Sequence, residues 1–241
     1  MDEYRYTKIY DDIWQIQEED GVFCTLLKGK EQAILWDTGY GNWNLREFVE
    51  KNVTTPYMVI NSHGHPDHCL GNHWFDIVYA KKEEWKQIAY FTKEERKEPL
   101  TYKLKPMEVG TVMGLGGMTV LVVALEGHTE GSIGLLIKER RMLLAGDAMN
   151  NELWLFNEGS LKMKQLYEML GRTYELDFDT FIGGHSGTPF EKKLILAHRR
   201  NIENLVVDEK TKRSIFGIET YTSTYRGEEG TSKIVFSLDR L

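Results

Sequence analysis

The sequence predicts a layered α/β fold. Segments with strand-like and helix-like patterns alternate along the chain, and no Pro/Gly/Ser linker, internal repeat or low-complexity tract interrupts them. The length of 241 residues lies in the range that one α/β domain fills. Because helices and sheets each bury an apolar surface against another element, we expect residues 1–241 to form a single domain.

The N-terminal part is predicted to be a meander of strands. Apolar runs cover residues 13–16, 22–27 and 33–36, and polar, glycine-containing turns separate them. The Asp20-Gly21 pair between two of these runs is a strong hairpin signal.

The middle of the chain is predicted to alternate helices and strands. Apolar spacings of three and four residues predict two helices, one with Leu45, Phe48 and Val49 and one with Trp85, Ile88 and Ala89. Short apolar runs predict four strands, at residues 57–60, 118–124, 132–137 and 142–145.

The C-terminal part begins with a predicted helix and a short strand. Apolar residues repeat with helical spacing from Met163 to Leu170, and Gly171 is placed to end this helix. Residues 180–182 form the predicted strand.

A second helix is predicted from its start signals. Thr188 can cap it, Pro189 suits its first position, and Glu191 completes a capping box, so the helix is expected to run to about residue 208. Alternating apolar residues then predict a last strand, at Ile234, Phe236 and Leu238.

Composition narrows the function classes. Thirty basic and 37 acidic residues give a formal net charge of −7, which argues against a nucleic-acid partner. No apolar run approaches the roughly 20 residues of a membrane span, and residues 1–6 lack the apolar core of a signal peptide. We therefore expect a cytoplasmic protein without a membrane partner. Cys24 and Cys69 are too few for a disulfide framework.

The segment after the predicted strand 57–60 is rich in metal-ligand residues. It reads Ser62-His63-Gly64-His65-Pro66-Asp67-His68. In an extended chain, residues two apart point to the same side, so His63 and His65 can face one ion. Pro66 bends the chain and can direct Asp67 and His68 to a neighbouring point. Imidazole and carboxylate together are typical ligands of zinc and related metals.

Three further residues of this kind follow other predicted strands. His128, Asp147 and His185 each come after a predicted strand and beside glycine. Loops at strand ends are where α/β sheets build their sites. Five of the seven histidines thus belong to one pattern, which leaves His73 and His198 outside it.

With this pattern, the sequence resembles the metallo-β-lactamase superfamily. The matching motif is His63-X-His65-X-Asp67-His68 followed by His128, Asp147 and His185, and residues 37–39 are similar to the family's early Asp-Thr-Gly element. The resemblance implies a four-layer αβ/βα sandwich, in which two mixed β-sheets are flanked by helices. It also implies a dinuclear metal site at one sheet edge.

The resemblance implies a role for each residue of the motif. The first metal would be held by His63, His65 and His128. The second would be held by Asp67, His68 and His185, and Asp147 would bridge the two. Two divalent metal ions are therefore expected, zinc first, with iron and manganese as alternatives. Asp37 would brace the loop, a turn cap being the alternative.

Departures within the motif indicate a branch of the superfamily. Asp147 stands where the dinuclear β-lactamases carry Cys, and His65 stands where the flavo-diiron oxidoreductases carry Glu. The pattern is most similar to glyoxalase II and the acyl-homoserine lactonases. Only 56 residues follow His185, which argues against the helical domain that holds glutathione in glyoxalase II, and hence against a glutathione thioester as substrate.

The expected function is a metal-dependent hydrolase. Two ions that share a water can lower its pKa strongly, to about 7, and the resulting bridging hydroxide would cleave an ester, thioester or lactone bond of a small molecule. Asp67 is the expected catalytic proton acceptor. Asp37 and Thr129 are the candidates for fixing the histidine tautomers.

Other functions stay open at this point. The first is an iron-dependent oxidoreductase that resembles the persulfide dioxygenases, with one ion held by His63, His65, His128 and Asp147. A metal-dependent phosphodiesterase is the second. A non-catalytic metal-binding protein ranks last, because structural zinc sites are usually closed and rich in Cys. The oligomeric state and the substrate are left open.

Two expectations concern the surroundings of the motif. The apolar, loop-like segment 150–157 is expected to wall a pocket, and Trp14, Trp43 and Trp74 are candidate lining residues, with ordinary core packing as the alternative. Cys69, beside His68, is expected to be a buried, inert thiol.

Overall fold

The computed structural model describes residues 4–19 and 21–241. The first three residues of the polar N-terminus and the predicted turn residue Asp20 lie outside this part of the chain. Strands and helices are numbered below in chain order.

The first sheet contains the N-terminal meander. Its seven strands pair in sequence order and are β1 (Arg5–Tyr10), β2 (Ile13–Glu19), β3 (Val22–Lys28), β4 (Ala33–Trp36), β5 (Tyr57–Ile60), β6 (Ile77–Ala80) and β7 (Lys103–Pro106). Strands β1 to β4 are antiparallel, and β4 to β7 are parallel. Strand β4 is buried along its whole length, which explains its continuous apolar run.

The second sheet has six strands in the order β14-β13-β11-β10-β9-β8. They are β8 (Val112–Gly114), β9 (Thr119–Ala124), β10 (Ile133–Ile137), β11 (Met142–Gly146), β13 (Thr180–Gly183) and β14 (Phe190–Glu191). The β11–β13 pair is parallel, so the residues that follow these two strands emerge at the same edge.

A third sheet packs beside the second one, in the order β12-β17-β16-β15. Its strands are β12 (Glu152–Leu155), β15 (Arg213–Ile215), β16 (Ile218–Gly227) and β17 (Gly230–Phe236). Only β17 corresponds to a predicted strand. Leu238, expected in that strand, lies in a short 3₁₀ turn after it.

Five α-helices accompany the sheets in the described part of the chain: α1 (Leu45–Asn52), α2 (Pro66–Cys69), α3 (Trp85–Arg96), α4 (Met163–Tyr174) and α5 (Leu194–Glu203). Helices α1 and α3 bury apolar residues on the outer face of the first sheet. Helices α4 and α5 do so on the second and third sheets. A separate core lies between the first and second sheets. This confirms the predicted four-layer α/β sandwich. None of the helices in the described chain combines the length and apolar character of a membrane span.

The predicted stop at Gly171 is wrong. Helix α4 continues through Gly171 to Tyr174. A side chain built on Gly171 would meet the guanidinium of Arg199 on α5 at 3.2 Å. Glycine therefore leaves room for the end of the Arg199 side chain, instead of ending the helix.

The predicted start of the next helix is also wrong. Phe190 and Glu191 form β14, which pairs with β13 and places Phe190 opposite Phe181. Their rings lie 5.4 Å apart. Strand pairing and this aromatic contact outweigh the local capping signals of Thr188 and Glu191, so α5 begins at Leu194 and ends at Glu203.

Candidate metal centre

The structure gathers the predicted metal-ligand residues into two adjacent groups. One contains His63, His65 and His128, and the other contains Asp67, His68, Asp147 and His185. Within each group, one possible ligand atom per residue lies within 4.8 Å of all the others. Both groups, as the structure describes them, consist of histidine and aspartate alone.

The groups meet because loops from both large sheets converge. Residues 61–65 follow β5 of the first sheet, and α2 then carries Asp67 and His68, with Pro66 at its first position. Asp147 and His185 follow the parallel strands β11 and β13. A bond from Ile133 N–H to the Ser62 carbonyl, 3.0 Å long, joins the two sheets next to the site.

The first group is a tight cluster of three buried imidazoles. His65 Nδ1 lies 3.0 Å from His63 Nε2 and 2.8 Å from His128 Nε2. Each of the three residues is at most 7% exposed.

The second group surrounds the Asp147 carboxylate. Asp147 Oδ2 is 3.0 Å from His185 Nε2, and Oδ1 is 3.4 Å from His68 Nε2. Asp67 Oδ2 lies 3.3 Å from His185 Nε2 and 3.5 Å from His68 Nε2. Asp147 Oδ2 is also 3.7 Å from His128 Nε2 in the first group. Asp147 is thus positioned between the two groups.

Hydrogen bonds fix the tautomers in the first group. His128 Nδ1 lies 2.9 Å from the Trp154 carbonyl, which can only accept, so Nδ1 carries the proton. Ser62 Oγ donates to Asp37 Oδ2 and therefore accepts from His63 Nδ1, at 2.9 Å. Both histidines consequently turn a lone pair at Nε2 toward His65.

Hydrogen bonds also fix the tautomers of the two histidines in the second group. His68 Nδ1 donates to Asp37 Oδ2 at 2.9 Å, and His185 Nδ1 donates to the Gly21 carbonyl. The buried His68 Nε2 has no hydrogen-bond partner. Imidazole lone pairs and carboxylate oxygens thus converge on one point, and one of the imidazole nitrogens there, His68 Nε2, lacks a partner. This arrangement fits a site for divalent cations.

Electrostatics also favour positive charge in the second group. Burial would lower the pKa of His185, but Asp147 outweighs burial and raises it to about 9. Burial likewise opposes protonation of His68, yet the nearby carboxylates raise its pKa well above the usual value. Burial would raise the pKa of Asp147, whereas His68 and His185 hold it well below its usual range. The carboxylates of this group thus favour a positive charge between them, as a metal ion would supply.

In the first group, by contrast, the histidine pKa values are lowered. Burial is the largest cause that lowers the pKa values of His63, His65 and His128. Their rings are therefore neutral near pH 7, which is the form that binds metals.

Asp37 lies behind the ligands and outside both groups. Besides its bond to His68, it accepts from the Ser62 N–H at 2.6 Å and from Ser62 Oγ at 2.8 Å. It holds this position with a left-handed φ of 62°. Asp37 thus braces the loop that carries the ligands, rather than capping a turn.

The proposed tautomer role of Thr129 is wrong, and its actual partner is a residue that the sequence did not reveal. Thr129 Oγ1 donates to Glu84 Oε1 at 2.8 Å instead of contacting a histidine ring. The buried Glu84 also accepts from Gly131 N–H and Gly64 N–H, both at 2.7 Å. It joins the loop of His63 and His65 to the loop of His128. In the sequence Glu84 stands in the run Lys81-Lys82-Glu83-Glu84, which has the appearance of a solvated surface.

A cavity of about 960 Å³ opens over both groups. The predicted wall segment 150–157 does line it, and its middle part, residues 152–155, forms strand β12 where a loop was expected. The described lining residues include Trp154 but not Trp14, Trp43 or Trp74. Trp14 and Trp74 belong to the core of the first sheet, and Trp43 is 40% exposed.

The remaining predicted residues lie outside the metal groups. Cys69 is a buried free thiol that contacts the Gly64 carbonyl, as expected. His73 is half-buried, and its Nδ1 donates to the Leu70 carbonyl. His198 is fully buried between Ser232 and the Asn150 carbonyl.

Comparisons with known proteins agree with this geometry. A sequence model described as the metallo-beta-lactamase superfamily matches residues 18–197. The human acyl-coenzyme A thioesterase MBLAC2 is 26% identical over 185 residues, which are 61% of this chain and 66% of the relative. Hydroxyacylglutathione hydrolase 1 of Vibrio vulnificus is 26% identical over 83% of this chain and 72% of that protein. Both relatives are hydrolases by name.

Solved structures share the fold. A metallo-beta-lactamase from Pontibacter korlensis superposes with a TM-score of 0.65 and 18% identity, over 84% of this chain and 100% of that one. The sec-alkylsulfatase Pisa1 from Pseudomonas sp. gives a TM-score of 0.66 and 12% identity, over 83% of this chain and 42% of that one.

Proposed function

The chain belongs to the metallo-β-lactamase superfamily, and we propose that it is a hydrolase with a dinuclear, zinc-loaded centre that cleaves an acyl bond of a small molecule. A thioester is the first choice of substrate, followed by an ester or a lactone. The observation that carries the proposal is the placement of Asp147, within 3.0 Å of His185 and 3.7 Å of His128, where two complete groups of ligand atoms meet.

The residues of the centre would divide the work. Two divalent ions bound there would lower the pKa of a shared water to about 7 and polarise the carbonyl of the substrate. His63, His65 and His128 would hold the first ion, and Asp67, His68 and His185 the second, with Asp147 shared.

Asp67 is the proposed proton acceptor. It lines the cavity, and its Oδ2 lies 3.3 Å from His185 Nε2 at the floor. Its carboxylate can therefore reach both the second ligand group and a bound substrate, and would take up the proton of the attacking water.

The two curated relatives support an acyl substrate. One is named a thioesterase for acyl-coenzyme A, and the other a hydrolase of hydroxyacylglutathione. The match to the thioesterase spans 66% of its length, so its substrate is carried over here only at the level of bond type.

The second ligand group favours a dinuclear centre over the iron-dependent alternative. A single ion would need only His63, His65, His128 and Asp147. The neighbouring Asp67, His68 and His185 would then have no ligand function, although they are three of the seven residues gathered here.

Metal content and turnover test the proposal together. We expect about two zinc ions per chain by elemental analysis, and hydrolysis of a panel of thioesters, esters and lactones that chelation abolishes and zinc restores. About one iron per chain, or no turnover of any acyl compound, would contradict the proposal.

The variant Asp147→Ala tests the shared ligand. It is expected to lose at least one zinc and most of the activity, because Asp147 is the proposed ligand shared by both ions. The matched control is Asp76→Ala, which removes an exposed carboxylate that pairs with Arg46 at the surface. Two zinc ions and full turnover in Asp147→Ala would refute the bridging role.

We also propose a cytoplasmic location. Cys24 and Cys69 are both buried as free thiols, which suits a reducing compartment. Fractionation of cells that express the protein would test this.

A further inference from the structure

The tip of one hairpin places an exposed aromatic ring at the cavity. Strands β15 and β16 are joined by the two residues Phe216 and Gly217, with Ile215 paired to Ile218. The Phe216 side chain is 80% exposed, more than any other large apolar side chain in the described part of the chain. It nevertheless lines the cavity above the metal centre.

Phe216 occupies an unfavourable backbone conformation. Its φ is +50° and that of Gly217 is +80°, the signature of a tight hairpin turn in which Asn-Gly is preferred at these positions. A bulky side chain in the left-handed region is a genuine outlier. Such outliers cluster at functional sites. At Phe216 the strained backbone holds an aromatic ring in an exposed position.

The hairpin is rigidly connected to the cavity wall. Strands β15 and β16 belong to the same sheet as β12, which carries Trp154. The rings of Trp154 and Phe216 are 6.3 Å apart. Trp154 is also fixed from below, because its carbonyl accepts from His128 Nδ1 and its indole N–H donates to Glu152 at 2.8 Å. Trp154 is therefore linked directly to the metal centre, and Phe216 contacts its ring.

The charge around these rings determines what they can bind. Apart from the metal centre, the charged side chains among the described lining residues are Glu95, Glu152 and Glu158, and none of them is Lys or Arg. Lys233 pairs with Glu152 at 3.9 Å but does not line the cavity, so a carboxylate or phosphate group would meet mainly negative charge among the lining side chains near the rings. An uncharged apolar group can cover the aromatic rings without that cost.

We propose that Phe216 and Trp154, whose rings meet edge to face, form an apolar platform on which the uncharged acyl chain of the substrate lies at the mouth of the cavity. This assigns Phe216 a role in specificity, and it rests on the proposed acyl hydrolase function only for the identity of the substrate. A longer acyl chain covers more of the two rings, so affinity rises with chain length.

The test measures binding, not turnover. Zinc-loaded protein is titrated calorimetrically with non-hydrolysable S-alkyl thioethers of N-acetylcysteamine that carry four to ten carbons. We expect Kd to fall by about twofold to fourfold per added methylene, until the chain extends beyond the rings. In Phe216→Asn, this dependence on chain length is expected to weaken by at least half, since Trp154 remains but Asn, which tolerates a left-handed φ, offers no apolar surface.

Two further variants show whether an aromatic ring at this position is what binds the chain. Phe216→Trp is expected to restore the dependence. Val112→Ala, which alters an apolar residue that is 57% exposed on β8 and does not line the cavity, is expected to leave it unchanged.

An unchanged dependence in Phe216→Asn would overturn the proposal. So would a change in oligomeric state without a change in binding, because Phe216 would then serve contacts between chains. If the thioethers bind as expected but no acyl compound is hydrolysed, the apolar platform is supported and the proposed reaction is refuted.

Discussion

At the scale of single residues, the orientation of each ring is set by an acceptor behind it. Four of the five clustered histidines direct Nδ1 toward a carbonyl, a hydroxyl or a carboxylate, which leaves Nε2 for the centre. The ligands therefore depend on neighbours that bind no metal themselves. Asp37 and Glu84 are the two such neighbours with the most hydrogen bonds to the ligand loops.

Asp37→Asn should impair the second metal position most directly. An amide that still accepts from the Ser62 N–H presents its NH₂ group to His68 Nδ1, so the proton of His68 moves to Nε2 and the lone pair is lost from the centre. Ser62 Oγ also loses its acceptor, which disturbs its contact with His63 to a lesser degree. We expect zinc content to fall from about two toward one per chain, as measured by elemental analysis after competition with a weak chelator. Asp76→Asn, at the surface, is the control. Retention of two tightly bound zinc ions in Asp37→Asn would show that Asp37 does not set the tautomer.

Glu84→Gln should weaken the first metal position. The carboxylate accepts three hydrogen bonds, and an amide cannot accept from Gly64 N–H at one end and from Thr129 and Gly131 at the other. Loss of an outer partner typically costs 10–100-fold in metal affinity, and an unpaired buried donor costs about 1–3 kcal/mol of stability.

Metal affinity measured by chelator competition distinguishes these effects. Glu83→Gln, on an exposed neighbour, is the control. A loss of folding stability with unchanged zinc affinity would mean that Glu84 supports only the fold.

At the scale of elements, local pattern predicted the strands better than the helix ends. The central strands β4, β5, β10 and β11 are nearly continuous apolar runs because both of their faces are covered, so their positions follow directly from the sequence. Most of the third sheet was missed. Strand β16 reads IETYTSTYRG, in which polar and aromatic residues mix without a clear period.

The predictions of helix ends were wrong where residues distant in sequence determine the end. The capping signals at Thr188 and Glu191 are real local preferences, but the pairing of β14 with β13 is worth more to the folded chain. Gly171 shows the same effect, since the approach of Arg199 cannot be read from the sequence around residue 171.

Gly171→Ala tests this interpretation of α4. In a helix interior, alanine is favoured over glycine by about 1 kcal/mol, and the only close neighbour is the far end of the Arg199 side chain, at 3.2 Å. We expect the free energy of unfolding in urea to rise by about 0.5 kcal/mol. The contrast is Gly159→Ala, where φ is +88° and the change should destabilise the protein. A clear loss of stability in Gly171→Ala would mean that α5 cannot yield at this contact.

At the scale of the whole molecule, the sequence predicted more of the site than of its surroundings. Each ligand residue could be proposed because imidazoles and carboxylates at strand ends are chemically conspicuous. Glu84, Trp154 and Phe216 carry no such signal, since a buried carboxylate or a cavity-lining ring is defined only by what the fold brings next to it. The single-domain organisation remains a prediction.

Cooperative unfolding tests that organisation. The first sheet supplies the loop from His63 to His68, and the second supplies His128, Asp147 and His185, so a metal bound as proposed would cross-link the two halves of the sandwich. We expect one urea transition, with the same midpoint by circular dichroism and by tryptophan fluorescence. Zinc in 100-fold excess over its Kd should add about 2.7 kcal/mol per site, and a chelator should lower the midpoint without splitting the transition. In Asp147→Ala the zinc-dependent shift should shrink, while Asp76→Ala should behave as the wild type. Two separate transitions would instead assign the sheets to independent domains, and a midpoint that ignores zinc would mean that metal does not couple them.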